Sequence, residues 1–279
     1  MTLGSLIGGP VALAVLRPRS RGRDAALFAL QMWGFTMAHE LPYDEPERLA
    51  RRLRVGYPIA IDRVLGLGRL PTVRLQRGLG RPGRVTSLDR ALSIIHWAWF
   101  FEPHVSLLFV QRRHVDRFPR AARQMAATYD LGCFVYFAVP TAPPWYAAET
   151  GAIEGGEDVR RVMVDAGEEL WGGAAWEKLY ESFNTNPWAA MPSLHFATSL
   201  MAAIHLGEAG KIAGVLGWSY AAALGFALVY LGEHYVTDLL AGAGLVLLVR
   251  RGEPVAEPLV EAINRRLRQL ERIAAAPAA

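Results

Sequence analysis

Long apolar runs alternate with short charged ones along this chain. The clearest run is residues 212–231, twenty positions without a charge. Helical rise over that length matches the ~30 Å hydrocarbon core of a bilayer. Residues 91–110, 125–140, 192–206 and 234–248 are further runs of this kind, and residues 25–39 form a shorter first one. All are longer than strands usually run, so each predicts a helix. Residues 44–90 follow another pattern: Arg-rich, punctuated by Gly and Pro, with Leu49, Leu53, Ile59, Ile61 and Leu65 at helical spacing. That pattern predicts amphipathic helices lying in the membrane interface. Residues 255–273 read as an amphipathic tail rich in Arg and Glu. The fold class is therefore all-α: an integral-membrane six-helix bundle with additional interfacial amphipathic helices. Residues 1–90 form an N-terminal membrane segment and interfacial region, 91–251 the core that would carry chemistry, and 252–279 a cytoplasmic tail.

Charge sets the orientation. Residues 111–120 carry four arginines, and Arg250 and Arg251 close the sixth run. Six spans put both groups on one side, which the positive-inside rule makes cytoplasmic. Residues 147–190 hold nine acidic residues against Arg160, Arg161 and Lys178, and fall outside. Residues 140–145, 186–195 and 232–238 then converge at the non-cytoplasmic face. The Arg-rich 44–90 stretch falls on that face too, against the rule. The expected location is a multi-pass protein of the cell membrane with its site on the outer side.

Composition refines the partners. Of 279 residues 52% are hydrophobic and 20% charged, with a net charge of +4. The basic residues flank apolar runs, so anionic lipid headgroups suit them better than nucleic acid. The single cysteine, Cys133, excludes an intrachain disulfide.

Two places carry candidate chemistry. Pro192 suits the first turn of a helix, whose free N–H groups attract an anion such as phosphate. Ser193 and His195 stand at the same end. His234 and Asp238 are four apart and, if helical, share one face. Asp238 can fix the tautomer of His234 and leave its other nitrogen nucleophilic. His195 can protonate a leaving oxygen. Two imidazoles and a carboxylate beside a helix N-terminus make a phosphoryl-transfer site with a phosphohistidine intermediate, needing neither metal nor cofactor. The same three side chains could instead form a zinc ligand set. His39, His96, His104, His114 and His205 read as structural.

Pro192, Ser193, Leu194 and His195, with His234 and Asp238, resemble the second and third motifs of the type 2 phosphatidic acid phosphatase superfamily. Residues 140–146, 190–195 and 230–242 are similar to its inositol phosphotransferase branch, which includes fungal inositol phosphorylceramide synthase. The resemblance covers roughly residues 90–250 and implies a six-helix membrane core. It implies His234 as nucleophile, Asp238 as its partner, His195 as the acid, and Ser193, Trp145, Tyr146 and Tyr235 as phosphate or substrate contacts. The superfamily's Arg six residues before the nucleophile is Leu228 here, and the Lys and Arg-Pro of its first motif are missing. Arg160, Arg161 and the arginines of 44–90 are the candidate replacements. A phospholipid or polyprenyl phosphate is the expected substrate, with water or a hydroxyl as acceptor. The alternative is a non-catalytic membrane protein that binds or transports lipid. The sequence does not speak to oligomeric state.

Overall fold

The structure is a computed structural model that describes residues 3–40, 46–156, 159–183 and 186–275. Among these, fourteen helices and no strand are formed: α1 (Leu3–Leu16), α2 (Arg21–Glu40), α3 (Pro46–Ala50), α4 (Gly56–Leu65), α5 (Pro71–Leu79), α6 (Ser87–Ala98), α7 (Glu102–Arg113), α8 (Phe118–Ala138), α9 (Pro144–Glu149), α10 (Val162–Trp171), α11 (Gly173–Phe183), α12 (Leu194–Ala209), α13 (Lys211–Tyr230) and α14 (Val236–Ala275).

Helix α12 is the axis of the bundle. It packs against α13, α14, α7 and α8. Its inward residues Leu194, Ala197, Met201 and Ala202 meet Met125, Tyr129 and Tyr136 of α8 and Leu245, Val246 and Val249 of α14. Small side chains on α12 let its neighbours come close. Gly242 shows how close: a Cβ there would lie 2.7 Å from the Ser193 carbonyl oxygen.

The run expected as one helix over 91–110 is two. Helix α6 starts earlier, at a capping box in which Thr86 Oγ1 accepts from the Asp89 N–H and Asp89 accepts from the Thr86 N–H. It ends at Ala98, and α7 restarts at Glu102. The cause is Pro103: inside a continuous helix its ring would strike the carbonyl four residues back, at Trp99. The freed Trp99 indole turns into the bundle and donates to Thr198 Oγ1 at 2.8 Å. The expected separate tail is also different. Helix α14 runs unbroken for 40 residues, with Pro254 and Pro258 inside it.

One end of the bundle collects the basic segments. Arg120 and Gln124 bond Glu253, Arg250 bonds Glu208, and Gln111 reaches the carbonyl of Arg21. Arg19 and Arg23 meet Glu271 on the α14 tail. At the opposite end, the Arg-rich segment folds over the bundle, with α4 against α14 and α5 against α13. Among the described residues, α13 is the one helix long and apolar enough to cross a membrane on length and composition. Large apolar side chains nevertheless face outward on four helices, among them Val105, Phe134, Ile212, Leu216, Leu240 and Leu248. Phe134 is 70% exposed and Ile212 80%.

Candidate active site

Three chain segments zip together at the end of the bundle away from the basic loops. Residue 54, residues 140–142 and residues 188–190 run side by side. The Arg54 N–H donates to the Pro140 carbonyl at 2.8 Å and the Thr141 N–H to that of Trp188 at 2.9 Å, while the Ala190 N–H returns to that of Thr141 at 3.2 Å. Tyr57 of α4 pins this seam, its hydroxyl 2.8 Å from Thr141 Oγ1. The Trp145 N–H then donates to the Gly232 carbonyl at 3.0 Å, so the proline-rich segment also touches the turn after α13. That turn needs Gly232, which sits at φ +83°.

The turn leaves His234 just ahead of α14, which begins at Val236, so His234 and Asp238 meet across the helix start and not along one helical face. His234 Nδ1 lies 3.3 Å from Asp238 Oδ2, and His234 Nε2 lies 3.2 Å from His195 Nδ1. A carboxylate can only accept, so Nδ1 of His234 carries a proton and Nε2 is left bare to accept from His195. Asp238 is fully buried, and its Oδ2 also accepts the Tyr235 N–H at 2.8 Å. The Asp238 carbonyl takes the Ser193 N–H at 3.0 Å, which ties the start of α12 to the start of α14. Asp62 of α4, also fully buried, caps α14 from outside. It accepts from the Val236 N–H at 2.9 Å, from the Thr237 N–H at 2.8 Å and from the Thr237 hydroxyl at 2.5 Å. A carboxylate at a helix N-terminus is favoured by both hydrogen bonding and the helix dipole.

His195 is walled on its other sides by rings. Trp99 lies 4.1 Å from it and His96 4.9 Å, centroid to centroid. His96 is buried, and neither of its ring nitrogens has a hydrogen-bond partner among the described residues. Beside His234, Glu233 receives a two-pronged ion pair from Arg161, with Nε and Nη2 at 3.0 and 3.2 Å from its oxygens. The same guanidinium stacks 4.0 Å over Trp145. Burial would push the Glu233 carboxyl up, but Arg161 outweighs it and holds the group below its ordinary value of 4.5. Gln76 of α5 locks the neighbouring backbone. Its amide donates to the carbonyls of Arg160 and Tyr230 at 2.9 and 2.8 Å and accepts the Arg160 N–H at 2.9 Å.

Of the residues singled out from sequence, His195, His234 and Asp238 are in direct contact. Ser193 is not inside the helix but caps it: its Oγ accepts the Phe196 N–H at 3.3 Å. Pro192 therefore precedes the cap instead of sitting in the first turn, after a cis peptide bond with Met191. Trp145 stands under Arg161, and Tyr146 lies edge-on to Trp188 at 6.0 Å. Tyr235 packs away into an apolar cluster with Ile59, Leu70, Val73, Ala147 and Ile153. Sequence reasoning missed Asp62, Gln76, Trp99 and the Glu233 half of the Arg161 pair, and set His96 aside. One signal was readable: Asp62 is the single acidic residue between positions 48 and 88. Among the described residues no group of three or more His, Cys, Asp and Glu side chains is arranged to hold a metal ion.

No solved structure matches the chain significantly. It is similar to the phosphoinositol dihydroceramide synthase of Bacteroides thetaiotaomicron, at 31% identity over 129 residues. That stretch is 42% of this chain and 39% of the relative, so well under half of the relative's length is covered. Residues 59–250, from the α4 helix that carries Asp62 to the bundle segment of α14, match the PAP2 superfamily, and the chain belongs to it.

Proposed function

We propose that this chain is an integral-membrane lipid phosphotransferase that works through a phosphohistidine at His234. The observation that carries the reading is the relay from Asp238 to His234 to His195, at 3.3 and 3.2 Å. It is what an activated nitrogen nucleophile and an adjacent acid require. In the first step His234 Nε2 attacks phosphorus. An N–P bond forms, the bond to the lipid oxygen breaks, and that oxygen takes a proton from protonated His195. In the second step an acceptor hydroxyl attacks the same phosphorus, His195 takes the hydroxyl proton, and the N–P bond breaks. The phosphoryl group enters by separating the two imidazoles. Arg161, paired with Glu233 beside His234, is the candidate basic replacement for the motif arginine that is Leu228 here, and the N-terminus of α12 supplies N–H groups to the phosphoryl oxygens. Ser193 and Trp145 line the same end.

Membrane insertion is supported by the outward apolar faces of α7, α8, α13 and α14. Exposed apolar surface on that scale is costly in water and neutral in lipid. Helices α2, the α6–α7 pair, α8, α12, α13 and the first half of α14 supply the six spans. The basic ends at Arg112, Arg113, Arg120 and Arg250 favour the cytoplasm, which puts His234 on the outer face. The name of the Bacteroides relative favours a phosphodiester donor carrying inositol and a lipid hydroxyl as acceptor. Phosphatidic acid and polyprenyl phosphates with water as acceptor are the hydrolytic counterpart.

The test uses the full chain in proteoliposomes with radiolabelled phosphatidylinositol, phosphatidic acid or a polyprenyl phosphate. Wild type should acquire acid-labile, base-stable label, and His234→Gln should acquire none. Unimpaired turnover of all three lipids by His234→Gln would end the proposal.

A further inference from the structure

Helix α6 belongs to none of the three motifs, yet it presents an imidazole to the site. His96 is only 5% exposed, and its ring lies 4.9 Å from that of His195. It is close enough to Glu233, His234 and Arg161 to feel their charges. Neither of its nitrogens has a partner among the described residues. A histidine kept for packing would normally bond one nitrogen to a backbone carbonyl or a side chain, because an unmade hydrogen bond in a buried place is costly. An ionisable group at this depth that faces the bundle interior marks a ligand path. Helix α6 ends at Ala98, so its last turn is the one that brings His96 against His195.

The chemistry of the missing partner can be read from the ring. A neutral imidazole carries one N–H donor and one bare acceptor nitrogen. The esterified oxygens of a phosphodiester only accept, so they satisfy half of it. Two neighbouring hydroxyls satisfy both halves, one accepting and one donating. We propose that His96 is the headgroup-reading residue of this site, and that its two nitrogens bind adjacent hydroxyls of a polyol esterified to the phosphoryl group. The inference rests on the phosphohistidine reading above and on the inositol-bearing donor favoured there, and adds to them the side chain that reads the headgroup. His96 exchanges no proton in either step, and contacts the headgroup both in the donor lipid and on the phosphorylated His234.

The experiment compares two donors that share the diacylglycerol phosphodiester and differ in the headgroup: phosphatidylinositol, and phosphatidylmethanol, which has no hydroxyl. The full chain in proteoliposomes is assayed for diacylglycerol release and for acid-labile label, as wild type, His96→Phe, His96→Gln and His234→Gln. Wild type should prefer phosphatidylinositol by about 10⁴-fold, the scale on which sites built for hydroxyls reject analogues without them. His96→Phe should lose most of that preference, through a much larger loss on phosphatidylinositol than on phosphatidylmethanol. His96→Gln keeps one donor and one acceptor on a similar frame and should lose about tenfold on phosphatidylinositol alone. Equal losses on both donors, in either variant, would make His96 a structural residue and overturn the proposal. An unchanged preference, or no preference in wild type, would overturn it as well. Label that persists in His234→Gln, or is absent from wild type with both donors, would instead remove the phosphohistidine reading, and this inference with it.

Discussion

Asp62 holds Thr237 by both its backbone N–H and its hydroxyl, at 2.8 and 2.5 Å, and Thr237 is the residue immediately before Asp238. Helix α4, which packs on the start of α14 from outside, thus fixes the first turn of α14, and with it the His234–Asp238 pair. Removing the carboxylate in Asp62→Ala leaves two buried N–H groups and a hydroxyl unpaired, which should cost about 2–4 kcal/mol. Thermal unfolding in detergent reads that loss. The effect on turnover should be a roughly 10- to 100-fold drop in kcat with little change in KM, if Asp62 acts only by positioning the proposed nucleophile. Asp62→Asn retains one acceptor oxygen and should fall between. A rise in KM with kcat unchanged would show that α4 binds substrate instead.

Asp238 acts at a second place, on the ring itself. Its Oδ2 meets His234 Nδ1 at 3.3 Å and the Tyr235 N–H at 2.8 Å. In Asp238→Asn the amide oxygen keeps one of these contacts, but the negative charge that would support the proposed phosphohistidine is gone. The imidazole can also settle in the wrong tautomer. Turnover should fall by roughly 10³-fold or more. Folding should be nearly unchanged, since burying a neutral amide is easier than burying a carboxylate. Single-turnover labelling checks it: the phosphoenzyme should form slowly, in proportion to the loss of steady-state rate.

How much of this was visible in the residues depends on range. The helices over 25–39, 125–138, 194–206 and 212–230 follow from apolar runs that no other element could bury. The convergence of residues 140–145, 186–195 and 232–238 follows from counting spans and placing charge. The contact among His195, His234 and Asp238 was legible because both segments are local helix-start signals, although His234 meets Asp238 from the turn before α14 and not along a helical face. What stayed hidden is long-range. Asp62 reaches Thr237 across 175 positions and Gln76 reaches Tyr230 across 154, and no periodicity encodes such pairs. Pro103 was the readable sign of the α6–α7 break, but a lone Pro in an apolar run also fits a kinked continuous helix. Tyr235 went the other way. The resemblance suggested substrate contact, while the tyrosine ring is buried in an apolar cluster with Ile59, Leu70 and Val73.

The Glu233–Arg161 pair predicts an acid-side loss of stability. The folded carboxyl is held below its ordinary 4.5 by Arg161, against the upward push of burial. A depressed folded value means the pair's stabilisation is fully present above the unfolded value, and is lost as pH falls through the folded one. Wild-type melting temperature should therefore drop as pH falls below about 4.5, by more than in Glu233→Gln, which has no carboxyl to protonate there. At neutral pH the variant should be less stable by roughly 1–3 kcal/mol, because Arg161 loses its charged partner in a half-buried place. Parallel melting curves for the two proteins across pH 3–7 would show that the pair carries no net stabilisation.

Gly242 tests whether the closeness of α12 and α14 matters to chemistry as well as to folding. Its missing side chain lets α14 pass against the Ser193 carbonyl, where a Cβ would stand at only 2.7 Å, and Ala197 Cβ would lie at 3.4 Å. The obstacle is backbone, which cannot swing aside as a long side chain could. Gly242→Ala must therefore push the two helix starts apart by several tenths of an ångström. The bond from the Ser193 N–H to the Asp238 carbonyl, now 3.0 Å, spans the same gap. Overpacking of this kind costs about 1–3 kcal/mol, and the same displacement lengthens the His195–His234 contact. The variant should lose kcat by roughly 10-fold or more while still melting cooperatively. Gly244, on another face of the same helix, is the control: a Cβ there would meet nothing within 4 Å. Gly244→Ala should keep full activity and gain slightly in stability from better helix propensity. Equal behaviour of the two alanine variants would mean that the α12–α14 approach is not what aligns the imidazoles.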